Sequence, residues 1–115
     1  MIIGTCHEST CAPELAAVVA AIFTQHGFEV HQNVSGYTGG NIVATYGQPQ
    51  SGRVHAIQLE INASLLMTTT QEDFIAQVTR GEIPGKAEAN IARIRQCLRE
   101  VLAALPPALA TVHES

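Results

Sequence analysis

Residues 53–67 read RVHAIQLEINASLLM. From Val54 to Ile61 the residues alternate: His55, Ile57, Leu59 and Ile61 fall on one side, and Val54, Ala56, Gln58 and Glu60 on the other. A period of two predicts a strand whose apolar side packs on helices while Glu60 projects from its end. The opening stretch, MIIGTCHES, starts with apolar residues that do not alternate. That pattern predicts a strand covered on both sides, with His7 delivered just beyond it. Ligands of open α/β sheets bind beyond strand ends. A carboxylate and an imidazole placed there suit a general base and a metal ligand. A solvated sheet edge explains the same two residues, and both readings stay open at this point.

Working outward, the chain of 115 residues predicts one domain over positions 1–115. Hydrophobic residues make up 46% and charged residues only 14%, against about 25% charged in ordinary soluble domains. A surface so poor in charge is expected to be covered in part by another chain. A formal net charge of −4 argues against a nucleic-acid partner, since no basic patch exists to displace counterions from phosphates. The odd set of Cys6, Cys11 and Cys97 has no paired spacing. It predicts free thiols and a reducing, cytoplasmic setting. The apolar start is too short and lacks the basic residues of a secretion signal. No apolar run approaches the roughly 20 residues of a membrane span.

Between the two strands, Leu15, Val18, Val19, Ile22 and Phe23 recur at helical spacing. Ser9 or Thr10 is the expected cap of a helix over 11–26, with Pro13 in its first turn and Gly27 at its close. Phe28, Val30, Gln32 and Val34 alternate as in a half-buried strand, and NIVATYG (41–47) predicts another. Gly36, Gly39 and Gly40 lie between them without the Lys-Ser or Lys-Thr of a phosphate loop, so turn or close-approach roles are expected. Thr70 with Asp73 predicts a capped short helix carrying Phe74, Ile75 and Val78. Ile91, Ile94, Leu98, Val101, Leu102 and Leu105 form one stripe of a final helix over 87–105, stopped by Pro106 and Pro107 ahead of a frayed LATVHES tail. The order of elements predicts an α/β fold in three layers, with a mixed sheet flanked by helices.

One resemblance is more specific than these patterns. YGQPQSGRVHAIQLEINASLLM (46–67), with GTCHES (4–9) and the pair Gly39–Gly40, resembles the signature of the N-formylglutamate amidohydrolase family. These are zinc enzymes related in fold to zinc carboxypeptidases, and the resemblance covers only the C-terminal half of such an enzyme. It implies that His7 is a zinc ligand, that Glu60 is the general base acting on a zinc-bound water, and that Gly39 and Gly40 border the substrate. It also implies that the remaining zinc ligands come from outside these residues. The sequence departs from the family pattern where substrate-holding arginines are usual, at Ala44 and Ala63, and where a tyrosine is usual, at Leu66.

Cys6, His7, Glu8 and Cys11 are near in sequence, but their spacing matches no closed zinc site. His31 and His55 are expected to be structural, His26 to sit at a helix C-terminus, and Cys97 to be a core or interface thiol. Two functions are compatible with these residues. One is a small-ligand-binding domain that is not catalytic alone. The other is a zinc-dependent amidohydrolase of N-acyl amino acids whose site a second chain completes. A homodimer is the expected assembly in either case, because the sheet and helices of a half-enzyme leave edges to be covered.

Overall fold

The computed structural model describes residues 1–114, the side chain of Gln71 excepted. Strand β1 (Ile2–Gly4) leads to helix α1 (Pro13–Gln25), strand β2 (His31–Gln32) and helix α2 (Asn41–Tyr46). Strand β3 (Gln58–Glu60), a 3-10 turn (Ala63–Leu65) and helices α3 (Gln71–Thr79) and α4 (Glu88–Glu114) follow. The sheet is mixed, in the order β2-β1-β3, with β1 parallel to β2 and antiparallel to β3. The α/β fold with a mixed sheet and flanking helices is therefore as expected.

The register sorts the sheet's two faces. Ile3 lies opposite Leu59, and both belong to the core face; Ile2 opposite Glu60, and Gly4 opposite Gln58, share the other. Glu60 is thus kept off the core face, as the alternation requires. The core joins Ile3 to Ala16, Val19, Phe23 and Phe28, and to Ile94, Cys97 and Val101 of α4. Phe23 and Phe28 meet edge to face at 6.1 Å, and the Arg93 guanidinium lies 4.5 Å above the Phe28 ring. Helices α1 and α4 therefore cover one face. On the other, the helical layer reduces to Phe74 and Ile75 of α3, which line a cleft together with Glu60.

Several expectations change. Helix α1 starts after Ala12, which offers no side-chain cap, with Pro13 in its first turn. Thr10 is occupied elsewhere: its hydroxyl donates to the Ala56 carbonyl at 3.0 Å, and its own carbonyl accepts from Ala56 N–H at 2.8 Å. Residues 41–47 form α2 and its cap rather than a strand, with Val43 as the one buried side chain of that turn. Within the longer alternating segments His31–Gln32 and Gln58–Glu60 pair with β1, which itself pairs over three residues, while Val34 and Val54 form isolated bridges to Tyr37 and Gln48. Helix α4 does not stop at Pro106 but runs through both prolines to Glu114, so the tail up to that residue is helical; Ser115 lies outside the described residues. Its buried stripe is Ile94, Cys97 and Val101, whereas Leu102 is 73% exposed. As expected, Gly27 closes α1 at φ +85° and the Thr70 hydroxyl accepts from Asp73 N–H at 3.2 Å.

Candidate functional site

His7 and Glu60 leave the β1–β3 ladder toward opposite ends. Glu60 sits across from Ile2, while His7 follows Gly4 at the far end of the same strand. Glu60 lines a cleft of about 640 Å³ whose walls include Glu29, His31, Tyr37, Ala63, Met67 and Phe74. Its carboxylate is oriented from within its own strand: Gln58 Nε2 donates to Glu60 Oε1 at 2.6 Å. His31 Nε2 and Glu29 Oε1, 2.8 Å apart, form an exposed pair on the same wall. The cleft is lined by two glutamates and by no lysine or arginine side chain.

His7 is exposed and lies outside that lining. The chain just past β1 takes an uncommon path, with Cys6, His7 and Glu8 in succession at φ +46°, +55° and +69°. L-residues avoid the left-handed region, at about 1–2 kcal/mol each, so neighbours must hold this turn. Asn33 is the principal clamp. Its Oδ1 accepts from Thr5 N–H at 2.9 Å and His7 N–H at 3.3 Å, and its Nδ2 donates to Thr5 Oγ1 at 3.0 Å. Thr5 Oγ1 in turn accepts from Glu8 N–H at 3.0 Å, and Cys6 N–H donates to Thr38 O at 2.6 Å. Nothing in the alternation of 28–34 marks Asn33; only its ability to take φ +52° itself is an asparagine trait visible in sequence.

Gly39 meets this turn, Gly40 faces Gln58, and neither lines the Glu60 cleft. A Cβ at Gly39, whose φ is +143°, would lie 2.7 Å from Cys6 Sγ, so a glycine is needed there for packing. Gly4 faces the same contact from the strand side, where a Cβ would fall 2.8 Å from Gly39 N and from the Thr38 carbonyl carbon. Gly40 has looser surroundings, with Gln58 Oε1 3.6 Å from a Cβ built there.

The donors that a zinc ion would use do not converge in this chain. Among the described residues no cluster of three or more His, Cys, Asp and Glu side chains could hold a metal. Cys11 is buried and directs its thiol at Ala12 O; burial, helped by the charge of Glu14 and opposed by a backbone hydrogen bond, pushes it up to about 11, so it stays a thiol at neutral pH. His7, Glu60 and Cys11 therefore do not fit a shared ion. Of the other sequence candidates, His26 pairs with Glu100, Cys97 is a fully buried core thiol, and His55 meets His113 in a second cleft that Pro13 and Glu14 of α1 also line. All three cysteines are free. None of the helices is long and apolar enough to cross a membrane, among the described residues.

A mixed sheet with a strand-end carboxylate opening into a cleft defines an α/β domain with one acidic site. More particularly, the chain belongs to the N-formylglutamate amidohydrolase family, whose sequence model matches residues 1–67. The N-formylglutamate deformylase of Pseudomonas aeruginosa is 34% identical over 101 residues, an alignment covering 88% of this chain and 35% of the deformylase. The chain thus spans little more than a third of that relative's length. No solved structure matches.

Proposed function

We propose that this domain binds a small molecule with a positively charged or hydrogen-donating head and an apolar body, and that it is not catalytic alone. The observation that carries this reading is the Glu60 cleft. Its carboxylate, held by Gln58 at 2.6 Å, opens beside Glu29 onto a wall of Met67, Phe74 and Ile75 with no arginine or lysine lining it. Ala63, at a position where the family pattern has an arginine, is part of that wall. Two carboxylates with no arginine or lysine in the same lining disfavour a dianion such as N-formylglutamate and attract an amine. Calorimetric titration with a phenylalkylamine and with N-formyl-glutamate tests this. The amine is expected to bind and the dianion not to. A charge-assisted hydrogen bond is worth about 1.5–3 kcal/mol, so Glu60→Gln should weaken the amine about 10- to 100-fold. Tighter binding of the dianion, or an unchanged affinity in the glutamine variant, would sink the proposal.

A second reading is supported by the sheet edges. The outer sides of β2 and β3 have no strand partner among the described residues, and Ile42, Ile75 and Ile83 are 75%, 59% and 94% exposed. In this reading a second copy, or a separate chain, covers these surfaces and brings the donors that an amidohydrolase site lacks here. Light scattering at tens of micromolar, with and without zinc, checks it. A dimer that takes up zinc and hydrolyses an N-acyl amino acid is the expected result; a concentration-independent mass near 12.2 kDa removes the second copy and leaves a separate chain as the one way to complete the site.

A further inference from the structure

The last turns of α4 meet the 47–57 segment at two histidines that the Glu60 cleft does not use. His55 Nε2 and His113 Nε2 are 3.1 Å apart, with ring centroids at 5.1 Å and planes tilted by 56°. Two ring nitrogens at this separation can share a metal ion or a proton, and the other side of the rings decides which. His55 Nδ1 accepts the backbone N–H of Ala12 at 3.0 Å. It therefore carries no proton, and the single proton of the neutral ring is on Nε2. A ligating histidine needs the reverse, a bare Nε2 with a protonated Nδ1 facing an acceptor. Metal binding would thus set two N–H groups against each other at Ala12. Sharing a proton needs no rearrangement, since His55 Nε2–H donates to His113 Nε2.

We propose that the His55–His113 hydrogen bond is a proton-operated latch: it fastens the part of α4 beyond Pro106–Pro107 to the body of the domain, and acidification releases it. A proton added to His113 goes to Nε2, where it faces the N–H of His55. A proton added to His55 goes to Nδ1, where it faces the N–H of Ala12. In either case a donor meets a donor and one hydrogen bond is lost. The charged and titratable groups lining the same cleft are Glu8 from the left-handed turn, Cys11, Glu14 of α1 and Arg53, and Glu114 adjoins His113 along α4. Against the lost hydrogen bond, the carboxylates of Glu8 and Glu14 in the closed cleft, and Glu114 beside His113, favour an imidazolium. Arg53 opposes it, and its Nη2 donates to the His113 carbonyl at 3.2 Å, a tie that does not titrate.

Burial, followed by the neighbouring His113, lowers the pKa of His55. A base whose pKa is lowered in the closed form binds its proton more readily in the open form. Closure is therefore favoured at neutral pH and weakens as pH falls through the ordinary imidazole value of about 6.5. The hinge is built into the helix, because Pro106 and Pro107 have no N–H to give to the carbonyls one turn back. Beside the latch is an apolar hollow of about 300 Å³ walled by Cys11, Leu15, Ile57, Leu105 and Leu109, which release would widen.

Amide hydrogen exchange on the full chain, corrected for intrinsic chemistry, reads the latch directly. Between about pH 7.5 and about pH 5.5 the amides from Ala108 to Glu114 should lose about tenfold or more of their protection, while those of α1 stay constant. In His113→Gln the side chain still accepts from His55 but does not titrate, and only the bond from Ala12 to His55 is then left to lose, so the loss of protection should be clearly smaller than in the wild type. Independently of any variant, ¹H–¹⁵N imidazole spectra at neutral pH should show His55 protonated on Nε2 and His113 on Nδ1. Equal protection of the wild type at both pH values would overturn the latch, as would a full loss retained in the glutamine variant. So would a His55 protonated on Nδ1, or added zinc that binds through both Nε2 atoms.

Discussion

Phe23→Ala is expected to remove about 3–5 kcal/mol of stability, the usual range for emptying a buried phenylalanine site. Phe23 is fully buried, stands edge to face with Phe28, and belongs to the cluster that ties α1 to β1 and to Ile94, Cys97 and Val101 of α4. No neighbouring side chain is free to collapse into the space, because the surrounding residues are themselves held by the two helices. Small domains are stable by only about 5–15 kcal/mol, so this one substitution takes a large share. With a urea slope near 2 kcal/mol/M, the midpoint of unfolding should fall by about 2 M. Leu102→Ala is the matched control, since Leu102 is 73% exposed although it lies on the stripe that the sequence pattern assigns to the core. Its effect should stay within about 0.5 kcal/mol. If circular dichroism found the two losses equal, the orientation of α4 described here would be incorrect.

That pair of residues shows how far sequence pattern reaches. The period of two around Leu59 and Glu60 was enough to separate core face from cleft face, and the cap at Thr70 placed α3. Helical spacing placed α4 but not its rotation, because Leu98 and Leu102 satisfy the same period as Cys97 and Val101 and only packing against α1 chooses between them. The prolines at 106 and 107 signal lost hydrogen bonds. What keeps the helix going lies beyond them in space: Leu105 packs against the core, and His113 meets His55. Residues 41–47 carry β-branched side chains and read as strand, yet they form a single short helix between Gly40 and Gly47. At Gly47 a Cβ would come within 2.4 Å of Thr10 Cβ, so tertiary contact overrides propensity there.

The candidate site was legible in its residue types and not in its arrangement. Glu60 lies at a strand end over a cleft, as its position in the alternation implied. His7 also follows a strand, but the antiparallel pairing of β1 with β3 sends the two residues to opposite ends. Strand direction is a property of topology, and neither local stretch encodes it.

Asn33→Ala is expected to cost about 2–4 kcal/mol and to release the turn that carries His7. Two consequences of the substitution act together. Thr5 N–H and His7 N–H lose their shared acceptor, and an unsatisfied buried donor costs about 1–3 kcal/mol; Thr5 is 1% exposed, so its amide falls under that penalty, while the exposed His7 can turn to water. Alanine must also adopt φ +52°, a region that asparagine enters far more readily. The left-handed run of Cys6, His7 and Glu8 then rests on Thr38 O, on Thr5 Oγ1 and on Ser9, whose N–H and hydroxyl donate to Cys6 O. Exchange protection at Thr5 should fall with global stability, and that at Glu8 should fall further, by local opening. Asn33→Asp separates the clamp from the fold. It keeps an acceptor for both amides and tolerates positive φ, and it loses only the Nδ2 donor to Thr5 Oγ1. The aspartate variant should therefore retain most of the protection at Thr5. If the alanine variant matched the wild type in both melting temperature and Glu8 protection, the left-handed turn would have some support other than Asn33.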